Sequence, residues 1–124
     1  METMCRLGAE REELRIVDDQ LGLPTWTSSL AGVVVQLLKV RALGTFHAAD
    51  GPEAVSWHDF AREIFRGRGL ATKTIPVSSE SYGAAAKRPR YSVLDCSATE
   101  ETIGMKMPVR EAALAEYISS LGSA

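Results

Sequence analysis

Apolar side chains at helical spacing predict five helices along the chain. Residues 2–13 form a short amphipathic pattern, and apolar residues recur every three or four positions across residues 26–38. Residues 56–67 and 97–104 each begin with a serine-x-x-acid capping pattern and end at a glycine. A last helix opens at Pro108. Its predicted buried side consists of Ala112, Leu114, Tyr117, Ile118 and Leu121.

Three short β-prone runs alternate with these helices. They are Leu14–Val17, Thr45–Ala49 and Thr74–Val77. Residues 78–90 are small, polar and proline-containing, which predicts a surface loop. The alternation indicates an α/β or α+β domain, and its three strands are few for a self-sufficient sheet.

Length and composition restrict the class of protein. A chain of 124 residues has room for one domain, residues 1–124, whereas a complete nucleotide-dependent oxidoreductase needs about two domains. A net charge of −2 without a basic stripe disfavours nucleic acid as a partner. The longest apolar run, Leu30–Val35, is too short for a membrane span, and no signal peptide is visible, so we expect a soluble cytoplasmic protein. Cys5 and Cys96 have no metal-ligand spacing and are expected to be reduced thiols.

Motifs for catalysis, cofactor binding and metal binding are missing from the sequence. Gly67-Arg68-Gly69 is a partial dinucleotide motif, but it follows a helix and not a strand. Tyr82 and Lys87 are one residue too far apart for the Tyr-x-x-x-Lys pair of short-chain reductases, whose side chains share a helical face. His47 is expected within an apolar strand and His58 on the solvent side of a helix, without clustered carboxylates. We therefore predict no catalytic, cofactor-binding or metal-binding residue in this chain.

Two loops carry the residue types of a ligand site. Residues 18–26 leave the first predicted strand, where open α/β sheets bind ligands, and combine acidic and amide groups with a glycine and an aromatic ring. Residues 87–92 hold three cations and a tyrosine, and arginine side chains suit phosphate oxygens. The alternative interpretations are a plain strand-to-helix turn for the first loop and a solvated basic loop for the second.

In order and spacing these segments resemble the C-terminal part of the dTDP-4-dehydrorhamnose reductase family, a branch of the extended short-chain dehydrogenases/reductases. The most specific similarities are Asp-Gln-x-Gly-x-Pro-Thr at residues 19–25 and Arg-Pro-x-x-Ser-x-Leu-Asp at residues 88–95. Gly44–Ala49 and Ser56–Ala61 also match, and the resemblance runs from about Glu2 to Leu121. It implies an α/β fold that is the substrate-binding portion of such an enzyme without its Rossmann half.

The resemblance also implies a function and a set of site residues. Complete members use NADPH to reduce the 4-keto group of dTDP-4-dehydro-L-rhamnose, which gives dTDP-L-rhamnose. Their Rossmann half holds the cofactor and the Tyr and Lys, so no cofactor is expected in this chain alone. Arg88, in a loop shaped by Pro89 and Ser92, is expected to face the nucleotide of a dTDP-sugar. The residues expected to line the sugar and diphosphate are Gln20, Gly22, Pro24, Thr25 and Trp26.

Three departures from the family pattern leave the chain's own activity open. The cofactor loop and the Tyr-x-x-x-Lys pair are absent, so turnover by this chain alone is not expected. Val109 follows Pro108 where the family usually has Trp, and Cys96-Ser97-Ala98 replaces Asn-Ser-Lys. The alternatives are a regulatory or assembly module, like the β subunit of methionine adenosyltransferase, and an orphan domain that has lost its ligand. The expected macromolecular partner is a Rossmann-domain chain or a second copy.

Overall fold

The computed structural model describes residues 1–121, in which six helices surround two short sheets. One sheet is a parallel pair of strands and the other an antiparallel pair, which confirms a mixed α/β architecture. In chain order the elements are α1 (Glu2–Glu10), β1 (Glu13–Val17), β2 (Leu21–Gly22), α2 (Thr27–Lys39), β3 (Val55–Ser56), α3 (Trp57–Gly67), β4 (Lys73–Val77), α4 (Ser79–Tyr82), α5 (Ser97–Ile103) and α6 (Arg110–Ser120).

The parallel pair places the loops that follow β1 and β4 next to each other. The register runs from Glu13 opposite Lys73 to Val17 opposite Val77. One further backbone hydrogen bond, from the Asp18 amide to the Val77 carbonyl at 2.9 Å, continues the ladder past the strand end. The carboxyl ends of the two strands therefore lie at one edge, where α/β proteins bind ligands.

A small apolar core holds α1, α3 and α6 against this pair. Its buried members are Leu14 and Ile16 of β1, Ala61, Ile64 and Phe65 of α3, and Leu114 of α6. Each helix contributes one apolar stripe, as the spacing predicts. In α6, Leu114 is buried as predicted, but Ala112 and Leu121 of the predicted buried side are exposed, and Ala113 is buried instead.

The starts of α3 and α5 use different caps. The Ser56 hydroxyl accepts a hydrogen bond from the Asp59 amide at 3.0 Å, which confirms the predicted cap of α3. The predicted cap of α5 is wrong, because Ser97 lies inside the helix and Asp95 accepts its amide hydrogen bond at 2.9 Å. The Glu100 carboxylate instead accepts a hydrogen bond from the amide of Met107, which follows the end of α5, at 2.9 Å.

Four other segment predictions need correction. Thr45–Ala49 is not a strand, because no strand of the described residues lies beside it to pair with its backbone. His47 is accordingly exposed and not part of an apolar strand. The loop predicted at residues 78–90 begins with α4, capped by Ser78, and α1 ends at Glu10 because Arg11 already has extended backbone angles.

The apolar face of α2 is mostly uncovered in this structure. Val33 is its buried residue, whereas Leu38 is 71% exposed and Leu43, just after the helix, is 94% exposed. None of the helices in the described residues is long and apolar enough to span a membrane.

Candidate substrate-binding cleft

The loop after β1 is tied to the start of α4 by a chain of three hydrogen bonds. The Asp19 carboxylate accepts from the Ser79 amide at 2.9 Å and from the Ser79 hydroxyl at 2.5 Å. The Gln20 side-chain amide donates to the same hydroxyl at 2.8 Å. The hydroxyl and amide of Ser79 hold the pKa of Asp19 below its usual range, so this carboxylate remains charged at neutral pH.

The second candidate loop is attached to the first through backbone hydrogen bonds at Leu21. The Leu21 amide donates to the Arg90 carbonyl at 2.8 Å, and the Ser92 amide donates to the Leu21 carbonyl at 2.9 Å. A Cβ atom at Gly22 would lie 3.1 Å from the Ser92 hydroxyl oxygen, so a glycine allows this close approach. Gly22 and Ser92 thus bring the two loops together.

Gln20 and Arg88 line one open cleft of about 690 Å³ beside β1. The other β1 residues and several apolar side chains also line the cleft. Its remaining charged and aromatic residues are Glu13, which is paired with Lys73 at 3.2 Å, the arginines Arg11 and Arg15, and the aromatic residues Trp57 and Tyr82. Arg15 is held by a hydrogen bond from its guanidinium to the Ser81 hydroxyl at 3.0 Å. The cleft therefore combines three guanidinium groups with two aromatic rings.

Sequence patterns do not identify four of these residues as part of the site, namely Arg11, Arg15, Trp57 and Tyr82. Trp57 is an apolar residue at the start of α3, and the helical spacing predicts it on the buried face, but it is 48% exposed. Arg15 is an exposed residue of β1, between two buried ones. The sequence alone does not indicate which face of β1 is exposed, because that depends on how the strand pairs. The sequence relates Tyr82 only to Lys87, at a spacing that does not form a catalytic pair, and the structure places Tyr82 at the end of the short helix α4.

Pro24, Thr25 and Trp26 lie in a neighbouring cavity of about 230 Å³, separate from Gln20 and Arg88. Asp50 fixes this loop, since one carboxylate oxygen accepts from the Trp26 amide at 2.8 Å and its own amide donates to the Thr25 hydroxyl at 3.1 Å. The Trp26 ring packs edge-to-face against Tyr117, with ring centroids 6.4 Å apart. Trp57 borders both cavities, so they are adjacent.

The eight predicted substrate residues are therefore divided by position. Gln20 and Arg88 share the large cleft, and Pro24, Thr25 and Trp26 share the smaller cavity. Gly22 and Ser92 contact each other between the loops, and Pro89 lines neither cavity. Their roles toward a ligand remain a prediction.

The surroundings of His58 also differ from the sequence expectation. His58 is buried and not solvent-facing, and its Nδ1 atom lies near the carboxylates of Asp18 and Asp59. The expectation that no carboxylates cluster around a histidine is thus wrong. Cys96 is partly buried, and that burial raises the pKa of its thiol, so the thiol stays protonated at neutral pH.

Several known proteins are similar to this chain in sequence or in structure. The spore coat polysaccharide biosynthesis protein SpsK of Bacillus subtilis is 39% identical over the whole chain, and a dTDP-4-keto-6-deoxy-D-glucose reductase of Streptomyces niveus is 42% identical over 79% of it. The crystal structure of a dTDP-4-dehydrorhamnose reductase from Clostridium acetobutylicum superposes with a TM-score of 0.90 at 40% identity, over 97% of this chain. The Bacillus anthracis enzyme, solved in complex with NADP, superposes with a TM-score of 0.89 at 36% identity, over 96% of the chain.

These matches cover only part of each relative. The chain spans 43% of the Bacillus subtilis protein, 34% of the Streptomyces protein and 42% of each of the two solved structures. The sequence model for the RmlD substrate binding domain matches residues 1–123. The chain therefore belongs to the RmlD substrate binding domain family, and it corresponds to the C-terminal, substrate-binding part of dTDP-4-dehydrorhamnose reductases.

Proposed function

We propose that this chain binds the dTDP-sugar substrate of a dTDP-4-dehydrorhamnose reductase and is not catalytic alone. The observation that carries the proposal is the meeting of Gln20 and Arg88, from two separate family motifs, in one cleft. A nucleoside diphosphate sugar presents two phosphates, an aromatic base and several hydroxyl groups. The cleft offers a complementary group for each of these parts.

The roles follow from the chemistry of each side chain. Arg88, with Arg15 nearby on β1, supplies charged donors for the diphosphate oxygens. Trp57 and Tyr82 offer half-exposed ring faces for the base or the sugar ring. Gln20, whose amide is oriented by Ser79, supplies a neutral hydrogen-bonding group suited to a sugar hydroxyl.

A nicotinamide dinucleotide does not fit the end of β1 in this chain. A dinucleotide site has a glycine-rich turn that leads directly from the strand into a helix, whose amino terminus holds the pyrophosphate. Here β1 is followed by the carboxylates of Asp18 and Asp19, which repel phosphate, and then by β2. Hydride transfer from NADPH is accordingly assigned to a cofactor-binding part that the described residues do not supply.

The uncovered face of α2 is the proposed contact with that cofactor-binding part. Leu30, Val34 and Leu38 are spaced four residues apart, so they lie on one side of the helix, and each is more than two-fifths exposed. Thr45–Ala49 follows and forms no strand pair within the described residues. An exposed apolar helix face of this kind is suited to contact with another protein part.

The same face favours the second candidate function, a regulatory or assembly module. Such a module would use α2 to bind another protein and would have no need for the cleft. Binding of nucleotide therefore discriminates between the two functions. The orphan-domain alternative predicts neither nucleotide binding nor a protein partner.

Isothermal titration of the intact chain with dTDP tests the proposed function. We expect saturable binding that Arg88→Ala weakens about tenfold or more, since a hydrogen bond to a charged group contributes about 1.5–3 kcal/mol. Lys87→Ala is the matched control, because Lys87 is in the same loop but outside the cleft, and it should change the affinity little. Equal weakening by both variants would indicate a nonspecific charge effect and would remove Arg88 from the site.

A second measurement tests whether the chain is catalytic without a cofactor-binding part. The chain alone, mixed with NADPH and dTDP-4-dehydro-L-rhamnose, should leave the NADPH absorbance constant. Oxidation of NADPH by the purified chain would contradict the assignment of catalysis to another part. Failure to bind dTDP, with the fold intact, would instead favour the regulatory module or the orphan domain.

A further inference from the structure

Three potential metal ligands meet at the start of α3. Their ligand atoms all lie within 4.8 Å of one another, and they come from Asp18 after β1 and from His58 and Asp59 in the first turn of the helix. The His58 Nδ1 atom is 3.3 Å from the Asp59 Oδ1 atom and 3.6 Å from the Asp18 Oδ1 atom. None of the three lines the proposed substrate cleft.

These distances suit metal ligands better than hydrogen bonds. A charge-assisted hydrogen bond between nitrogen and oxygen is about 2.7–2.9 Å long. Two ligands on a tetrahedral zinc ion, each about 2.1 Å from the metal, are separated by about 3.4 Å. Both separations from His58 are near this value, and the ligand atoms of Asp18 and Asp59 lie within 4.8 Å of each other, so side-chain movements can bring one ion into contact with all three.

The burial of His58 is an independent observation. Its side chain is 10% exposed, yet within residues 1–121 neither ring nitrogen makes a hydrogen bond. A buried imidazole normally has a hydrogen-bond partner, and this one instead directs a nitrogen toward two carboxylates. Asp18 and Asp59 are about half exposed, so water molecules can complete the coordination of an ion.

Ser56 holds the Asp18 side chain and the first turn of α3 in position. Its hydroxyl donates to the Asp18 Oδ1 atom at 2.6 Å and accepts from the Asp59 amide at 3.0 Å, and Ser56 itself is buried. Metal sites commonly orient their carboxylate ligands by such outer hydrogen bonds. The backbone of Asp59 and the side chain of Asp18 are thus held by one residue.

We infer that Asp18, His58 and Asp59 form a binding site for a divalent transition-metal ion. One imidazole and two carboxylates suit zinc or manganese rather than calcium or magnesium, which prefer oxygen ligands alone. The site lies outside the substrate cleft, and the inference does not depend on the proposed function. Its position joins the end of β1 to the start of α3, so a bound ion would add a link between these two elements.

Titration of the intact chain with zinc sulfate, and separately with manganese sulfate, tests the inference. We expect one saturable site per chain for at least one of the two ions. Asp59→Asn removes an exposed ligand without disturbing the core, and His58→Ala removes the imidazole. Each variant is expected to weaken binding at least tenfold, because changes even to groups behind a ligand cost about that much.

His47→Ala is the matched control, since His47 is the other histidine of the chain and is exposed. It should bind the ion as the unchanged chain does. Thermal unfolding of every variant in a chelator shows that the fold is retained. Absence of a saturable site for both ions, or equal affinity in the Asp59→Asn variant, would overturn the inference.

Discussion

At the scale of single residues, Ser79 decides where two polar side chains of the candidate site point. Its hydroxyl donates to Asp19 and accepts from Gln20, and its amide donates to Asp19 as well. These bonds lower the pKa of Asp19 in the folded chain. Because Asp19 is close to solvent, we expect its lowered pKa to make the stability of the fold depend on pH without adding a large stabilising free energy.

The variant Ser79→Ala is expected to raise the pKa of Asp19 toward its ordinary value of 3.8. A carboxylate with a lowered pKa stabilises the folded chain above the ordinary pKa, and this contribution is lost as the pH falls through the folded pKa. The acid-induced loss of stability should therefore become smaller in the variant. A titration of the side-chain carboxyl signals by NMR measures the pKa directly.

Ser81→Ala is the control for this experiment, because Ser81 is also in α4 but binds Arg15 instead of Asp19. It should leave the pKa of Asp19 unchanged. An unchanged pKa in the Ser79 variant would mean that another group holds the charge of Asp19.

At the scale of elements, two helical glycines in the chain have opposite surroundings. A Cβ atom at Gly8 in α1 would lie 2.7 Å from a ring carbon of Phe65, whereas a Cβ atom at Gly32 in α2 would meet no atom within 4 Å. Gly8 thus allows α1 to approach the core, and Gly32 has no such packing reason. A glycine in a helix otherwise costs stability relative to alanine.

The two alanine variants should therefore change the free energy of unfolding in opposite directions. Gly8→Ala is expected to destabilise the fold by about 1–3 kcal/mol, because the methyl group forces the buried Phe65 ring to move. Gly32→Ala is expected to stabilise it by about 0.5–1 kcal/mol through helix propensity. Urea denaturation measures both, and a stabilising effect of Gly8→Ala would contradict the close contact with Phe65.

Elements whose signal is local were predictable from the sequence. The apolar spacing of α3 and its Ser56 cap, and the β-prone runs of β1 and β4, depend on neighbouring residues alone, and the structure confirms them. Thr45–Ala49 has the same local signal as β1, but a strand also needs a partner, which local sequence does not specify. The predicted start of α5 is wrong because Asp95, two residues before Ser97, accepts the hydrogen bond from the Ser97 amide.

The candidate site was predictable only in its two loops. The motifs around Gln20 and Arg88 locate both loops, and the structure brings these two residues into one cleft. The contribution of Arg15, Trp57 and Tyr82 depends on strand pairing and helix orientation, which no short pattern contains. The same holds for the neighbourhood of His58, where residues 40 positions apart in the sequence meet.

At the scale of the whole molecule, the dominant feature is the apolar surface of α2 and the residues after it. Leu38 is 71% exposed and continues the helical stripe of Leu30 and Val34, and Leu43, shortly after the helix, is 94% exposed. Soluble monomers rarely expose several large apolar side chains on one helix face in this way. In the complete relatives, which are more than twice as long as the stretch this chain matches, we expect the surface to be covered.

The isolated chain is therefore expected to associate with itself through α2 at high concentration. Leu38→Lys places a charge at the most exposed position of the stripe and should reduce the average mass measured by light scattering, with little change in the free energy of unfolding. Leu121→Lys makes the same substitution at an exposed leucine at the end of α6 and should leave association unchanged. If the unchanged chain stays monomeric at all concentrations and binds no apolar dye, α2 is not a contact surface, and the cofactor-binding part must be sought against another face.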